Sequence, residues 1–227
     1  MTIWHISDTH GHHNLLNVPD LQTIDVIVHS GDESNNRVVY QNKQEFIDFV
    51  EWYKSVNHPY KIFVPGNHSS FVYNNQKEAK RMLNDAGIIF LNKTSIEIKG
   101  LVFYGDPTTP KFGNWFFMAK REKTINHWKK IPENCDILIT HGPPKHCLDL
   151  TNDIYHRTKS VGDSSLFNTI QKLPNIKVCL YGHVHDCENI INHGILYRDG
   201  KIYSNASAVT DNKFSKGITH NGNIINL

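Results

Sequence analysis

The 227-residue chain holds only four cysteines, Cys135, Cys147, Cys179 and Cys187, and no two of them form a CxxC pair. Such spacing gives no disulfide framework, so the thiols are expected to stay reduced in a cytoplasmic setting. Long apolar runs are also missing: nothing approaches the roughly 18 residues that a membrane-spanning helix needs. The opening MTIWHISDTH has no basic stretch ahead of an apolar one, so no secretory leader is expected. Charge of one sign is scarce too, with 24 Lys and Arg against 22 Asp and Glu, a net charge of +2. That balance argues against a protein that grips long nucleic acid by charge, because phosphate tracking needs clustered cations.

Histidine, by contrast, is plentiful, at 15 residues. The hydrophobic share of 39% and charged share of 20% are ordinary for a globular protein. No linker, repeat or low-complexity stretch interrupts the chain, and its length suits one domain over residues 1–227.

Short apolar runs rich in Ile, Val, Phe and Tyr predict buried strands at 3–7, 25–30, 61–65, 101–105, 136–141 and 177–182. Phe46, Phe49, Val50 and Tyr53 recur at helical spacing within 41–56. Ala79, Met82, Leu83 and Ala86 do so within 74–87, where Gly87 is the expected stop, and Leu166, Ile170 and Leu173 within 164–174. Residues 195–207 read as a hairpin about Asp199 and Gly200. Strands alternating with helices predict an α/β fold: a two-sheet β-sandwich flanked by helices, with parallel pairing in part of it.

Polar clusters follow the apolar runs in a regular way. After the first run come Asp8 and His10; after the second, Gly31 and Asp32; after the third, Gly66, Asn67 and His68. The last two runs give way to His141 and to the pair His183 and His185 in YGHVHD. Each fragment alone is a weak signal, and a lone histidine is more often a surface or satisfied core residue than a ligand. Together, in the setting where open α/β sheets collect functional groups, they predict a metal site built from Asp8, His10, Asp32, Asn67, His141, His183 and His185. Carboxylate and imidazole donors suit manganese, iron or zinc, and the absence of cysteine disfavours a closed structural zinc site. Seven donors exceed the need of one tetrahedral ion, whereas two ions sharing an aspartate would use them all.

The pattern DxH…GD…GNH…H…GHxH, from residue 8 to residue 185, resembles the calcineurin-like metallophosphoesterase superfamily. The resemblance implies that Asp8, His10, Asp32 and His185 hold one ion. It also implies that Asp32, Asn67, His141 and His183 hold the second, with Asp32 as the bridge and His68 on the substrate side. YGDPTTPKFGNWFF, LITHGPP, VGDSSLFNTIQKL and YSNAS are similar to the small metallophosphodiesterase-domain branch. That branch implies hydrolysis of cyclic nucleotides and related diesters with manganese; iron, zinc, nickel and magnesium are the alternatives. Two departures stand out. Ser69 follows GNH where the family usually has an acid, and Arg37 falls one residue later than the arginine of the protein phosphatase branch, so no phosphate is assigned to it.

The expected function is therefore hydrolysis of small nucleotide-like phosphodiesters, with Asp32 and His68 as catalytic residues. In that reading a hydroxide shared by the ions attacks and His68 assists the leaving group. The alternatives are a nuclease, a phosphomonoesterase or protein phosphatase on the same site, and a non-catalytic scaffold, which a complete ligand set disfavours. Trp115, Phe116 and Phe117, with Phe71 and Tyr73, are either core or a wall for a base; His12 and His13 are either rim or solvated loop. His5, His29, His58, His127, His146, His156, His193 and His220 match no motif and are expected to be surface or structural.

Overall fold

The computed structural model describes residues 1–211 and 217–227. Strands β1 (Thr2–Ile6), β2 (Val26–His29), β3 (Lys61–Phe63) and β4 (Ile89–Phe90) run parallel in one sheet. Next in sequence come β5 (Thr94–Ile98), β6 (Leu101–Asp106), the short pair β7 (Thr109–Pro110) and β8 (Met118–Ala119), and β9 (Ile137–Thr140). A small hairpin of β10 (Leu150–Asn152) and β11 (Thr158–Ser160) precedes β12 (Val178–Tyr181), β13 (Gly194–Arg198), β14 (Lys201–Asn205) and β15 (Asn223–Asn226). The first sheet has the order β15-β1-β2-β3-β4, and the second β13-β14-β12-β9-β6-β5. In the second sheet β6, β9, β12 and β14 are parallel, while β5 and β13 pair antiparallel at its edges.

Successive residues of a strand point to opposite faces, so each central strand feeds two apolar layers. Ile3, Val26, Val28 and Ile62 meet Phe103, Ile137, Ile139, Val178 and Leu180 between the sheets. The alternate residues Trp4, Ile27 and Phe63 face outward onto Phe46, Phe49 and Tyr53 of helix α1 (Val39–Ser55). On the far side Leu138, Cys179 and Tyr181 pack with Leu166 and Ile170 of a helix over Ser164–Lys172, and with Trp128. Asp163 caps that helix, its side chain accepting from the Ser165 and Leu166 amides. The result is the expected sandwich of two sheets between helices. Among the described residues no helix is long and apolar enough to cross a membrane.

The helix expected within 74–87 forms as Gln76–Asp85. A short helix over Ser70–Asn74, which the sequence reading did not expect, precedes it and ends where Asn75 leaves the helical region at φ −131° and ψ 46°. One local expectation needs correction. His13 is neither rim nor solvated loop. It is 1% exposed and packs against Phe49 and Trp52. The hairpin about Asp199 and Gly200 forms as expected, both residues taking positive φ (51° and 72°), as a type I′ turn requires.

Candidate metal centre

The carboxyl ends of β1, β2 and β3 in one sheet and of β9 and β12 in the other meet at one edge of the sandwich. Donor atoms of Asp8, His10 and His185 lie within 4.8 Å of one another, as do those of His10, Asp32 and His68, and those of Asp32, His141 and His183. Asn67 joins the third group, its Oδ1 lying 3.1 Å from His141 Nε2. Every residue expected in the site is thus brought to one place, and His10 and Asp32 each belong to two of the groups.

The loops hold this arrangement by exchanging backbone hydrogen bonds. The His183 amide donates to Asp8 Oδ2 at 2.9 Å, and the His68 amide to Asp32 Oδ1 at 2.7 Å. Each carboxylate is thereby tied through one oxygen and turned inward through the other. Asp8 Oδ1 is 3.2 Å from His185 Nε2, and Asp32 Oδ2 is 3.2 Å from His141 Nε2. Asp8, His10, Asp32 and His183 all have left-handed backbone, with φ of 51°, 44°, 55° and 70°. That conformation is disfavoured for side chains other than glycine and concentrates at functional loops. Glycine is required beside them: a Cβ on Gly182 would sit 1.9 Å from Asp8 Oδ2, and one on Gly66 2.2 Å from Asp32 Oδ1.

The outer nitrogens of the imidazoles explain which way they face. Nδ1–H donates to a backbone carbonyl in His10 (Ser34, 3.2 Å), His68 (Asn35, 3.1 Å) and His141 (Ser30, 3.0 Å). His185 Nδ1 is instead 2.7 Å from Asp211 Oδ1. Such outer partners fix the tautomer and leave the Nε2 lone pair for a cation. His141 Nε2 consequently meets two oxygens, of Asn67 and Asp32, and a bare nitrogen cannot bond to either without a cation or a proton among them.

The electrostatics agree with this reading. Among the described residues no lysine or arginine pairs with Asp8 or Asp32; the side chains paired with them are imidazoles. Burial by itself lowers an imidazole pKa, yet the neighbouring Asp32 pushes His141 up to about 9. Against the same burial effect, hydrogen bonds to Asp211 and Asp8 push His185 up to about 10. Burial wins at His10, lowered to about 4, and at His183, lowered to about 3, so both are neutral at pH 7. Two buried carboxylates, several imidazoles and an amide oxygen converging without a paired lysine or arginine among the described residues form a donor set that fits hard or borderline divalent cations.

The substitution of Ser69 for an acid has a structural answer. Ser69 does not touch the His68 ring, which the Asn35 carbonyl orients. Instead its hydroxyl donates to Glu33 Oε2 at 2.6 Å and accepts from the Gly66 amide at 2.9 Å. Trp115 stacks on His68, whereas Phe117 is buried, so the aromatic cluster divides between site and core. Arg37 lies over Trp115 and, among the described residues, makes no hydrogen bond or ion pair with the donor groups. The Ser30, Ser34 and Asn35 carbonyls, and Asp211, are partners that the motifs do not announce. The carbonyls carry no residue-specific signal, and Asp211 stands 26 residues beyond its histidine.

Comparison with known proteins follows the same line. Residues 1–187 match the family model described as calcineurin-like phosphoesterase. The human protein named metallophosphoesterase domain-containing protein 1 is 29% identical over 91% of this chain, which spans 66% of that relative's length. One solved structure superposes with a TM-score of 0.64 at 16% identity, over 90% of this chain and 89% of the other. Another, a putative 5′-nucleotidase from Staphylococcus aureus in complex with alpha-ketoglutarate, gives 0.53 at 12% identity, over 90% of this chain and 48% of its own. Those two likenesses concern the fold. With the family model matching most of its length, the chain belongs to the calcineurin-like phosphoesterase family.

Proposed function

We propose that the chain is a metal-dependent phosphoesterase acting on phosphodiester bonds of small nucleotide-like substrates. The observation that carries this reading is the set of three overlapping donor groups, with inward-facing Nε2 atoms fixed by carbonyls on the outer nitrogens. Asp8, His10, Asp32 and His185 would hold one divalent cation, and Asp32, Asn67, His141 and His183 a second, manganese being the first choice. When bound, such ions supply Lewis acidity toward phosphoryl oxygens and lower the pKa of bound water from about 15.7 toward about 7.

The chain's own residues supply orientation and proton transfer. Asp32, common to two donor groups, is the natural shared ligand, and its tie to the His68 amide couples its position to that of the His68 ring. Because His68 Nδ1–H is committed to the Asn35 carbonyl, Nε2 is the atom that can carry a proton to the leaving alkoxide. Asn67 lends an amide oxygen without charge, keeping the site less negative than a third carboxylate would make it. The near-even charge of the chain supports small substrates over polymers.

The test is a panel assay on protein reconstituted with Mn²⁺, Ni²⁺, Mg²⁺ or Zn²⁺. Substrates are bis-p-nitrophenyl phosphate, p-nitrophenyl phosphate, 2′,3′- and 3′,5′-cyclic nucleotides and single-stranded DNA. Diester hydrolysis should dominate, and Asp32→Asn should lose more activity than His68→Gln, whose loss is expected at about 10²–10⁴-fold. A preference for the monoester, or for DNA, would replace the diester reading.

A further inference from the structure

Beside the donor groups lies a cavity of about 410 Å³ whose wall includes His183 and His185. A second recess, lined by His10, His12 and His68, borders the same groups, and an organic arm leaving a phosphate on the His183 side would enter the first. Pro110, Phe112, Pro143 and Val184 supply apolar walls. Phe112 is 46% exposed although its ring lies only 5.1 Å from that of His183, so a flat apolar face is left open next to the site.

The charged side chains of this cavity are unevenly balanced. Among the described residues that line it, the carboxylate is Asp211, hydrogen-bonded to His185, and the lysine and arginine are Lys159 and Arg121. Arg121 is anchored, donating through Nη1 to the Gly162 carbonyl at 2.9 Å and through Nη2 to the Val161 carbonyl at 3.0 Å. Lys159 makes no hydrogen bond or ion pair among the described residues, although its charge helps the Arg157 contacts hold the exposed Asp153 carboxyl below the usual carboxylate range. It stands opposite Thr151 in the β10–β11 ladder, and both residues line the cavity. In an antiparallel ladder directly opposed side chains share a face, so the Lys159 side chain is set on the cavity side by the register itself. An aromatic face, a fixed guanidinium and an ammonium with no hydrogen-bonded partner among the described residues, all in one recess, form a receptor for a flat ring bearing an anion.

We propose that this cavity is a subsite for a second anionic group, and that the substrate is a nucleoside phosphodiester carrying a further phosphate beyond the scissile one. The assignment rests on the phosphodiesterase reading above, which places the scissile phosphate at the donor groups. Phe112 takes the base or sugar face, and Lys159, with the Arg121 guanidinium behind it, takes the second phosphate. Lys159 is the specificity-determining residue.

The test is calorimetric binding of thymidine 3′,5′-bisphosphate and of thymidine 5′-monophosphate to the manganese-reconstituted protein and to its Lys159→Ala, Lys159→Glu and Lys159→Arg variants. The wild-type protein should prefer the bisphosphate by about tenfold or more, the scale of one charge-assisted hydrogen bond. Lys159→Ala should remove that preference, Lys159→Glu should invert it, and Lys159→Arg should keep it. The same ratio should appear in kcat/KM for thymidine 5′-(p-nitrophenyl phosphate) with and without a 3′-phosphate. Equal binding of the two ligands by the wild-type protein would overturn the subsite, as would a preference that survives in both the alanine and glutamate variants. If the bisphosphate preference depends on Lys159 while bis-p-nitrophenyl phosphate is left intact with every metal, the subsite stands and the catalytic reading fails.

Discussion

The imidazole of His68 lies on the indole of Trp115, ring centroids 4.1 Å apart and planes inclined by 28°. Arg37 extends the stack, its guanidinium carbon 4.4 Å from the Trp115 ring centroid while it donates to the Asn114 carbonyl. The ring proposed to deliver a proton is thus fixed by a hydrogen bond in its plane and an aromatic contact on its face. Removing the contact should spare the metal ligands and loosen the acid. Trp115→Ala is expected to lose about tenfold or more in kcat on alkyl-leaving-group diesters and much less on p-nitrophenyl diesters, whose leaving group needs little protonation. Trp115→Phe should recover most of the difference. Equal losses on both substrate types would argue that Trp115 supports the loop and not the proton transfer.

Loading the site with cations should release protons. In the ion-free protein His141 (about 9) and His185 (about 10) hold protons at pH 7, and both must give them up to become ligands. About two protons should be released per fully loaded molecule at neutral pH, and apparent affinity should rise with pH until it passes those values. Calorimetry in buffers of different ionisation enthalpy reads the number directly. Binding without proton release would contradict the donor assignment.

Gly182→Ala is expected to empty the site without replacing any proposed ligand. The new methyl group would stand 1.9 Å from Asp8 Oδ2 and 2.2 Å from the Ser7 hydroxyl, so Asp8 must leave the His183 amide. Metal content by elemental analysis should fall, diesterase activity should drop at least about a hundredfold, and stability should fall by about 1–3 kcal/mol. Full metal content in this variant would show that the close approach is not essential.

Acid should destabilise the protein through histidines buried in neutral form. Burial pushes His29 down to about 3, and the Gly31 amide donates to its Nδ1 at 3.3 Å while Nε2 faces the Thr9 hydroxyl at 3.1 Å. A base whose folded pKa is depressed binds protons more readily when unfolded. Its contribution is therefore complete above its ordinary value near 6.5 and is lost as pH falls toward 3. His5, fully buried between the Ser204 and Ser30 hydroxyls, is displaced the same way. Melting temperatures in the presence of a chelator should decline from pH 6.5 to pH 4, less steeply for His29→Gln. A variant with the wild-type slope would exonerate His29.

The strands that position the site can be read from sequence because each is a short apolar run that stops at a glycine, proline or polar residue: Gly31, Pro65 and Gly182 mark where chain becomes loop. The donors announce themselves by falling just after those stops. What cannot be read is whatever depends on backbone groups or distant pairing. The carbonyls of Ser30, Ser34 and Asn35 orient three imidazoles whatever side chains those residues bear. Lys159 sits in a three-residue strand, two of whose residues are exposed, which has no apolar period to betray it. The adjacent His12 and His13 part company for a similar reason. His13 belongs to a 3-10 turn against α1, while His12 lines the cleft with His10, His68 and His185, and only tertiary packing separates them.

Because Asp8, Asp32 and Asn67 hang from one sheet and His141, His183 and His185 from the other, the distance between ligands is also a measure of the gap between the sheets. Ile3, Val28 and Ile62 against Phe103, Ile139 and Leu180 act as the shims that set it. Trimming or thickening one of those side chains, far from any phosphate, should alter which cation fits and how fast it reacts. Selectivity for the metal would then be tuned from the oily middle of the protein as much as from its mouth.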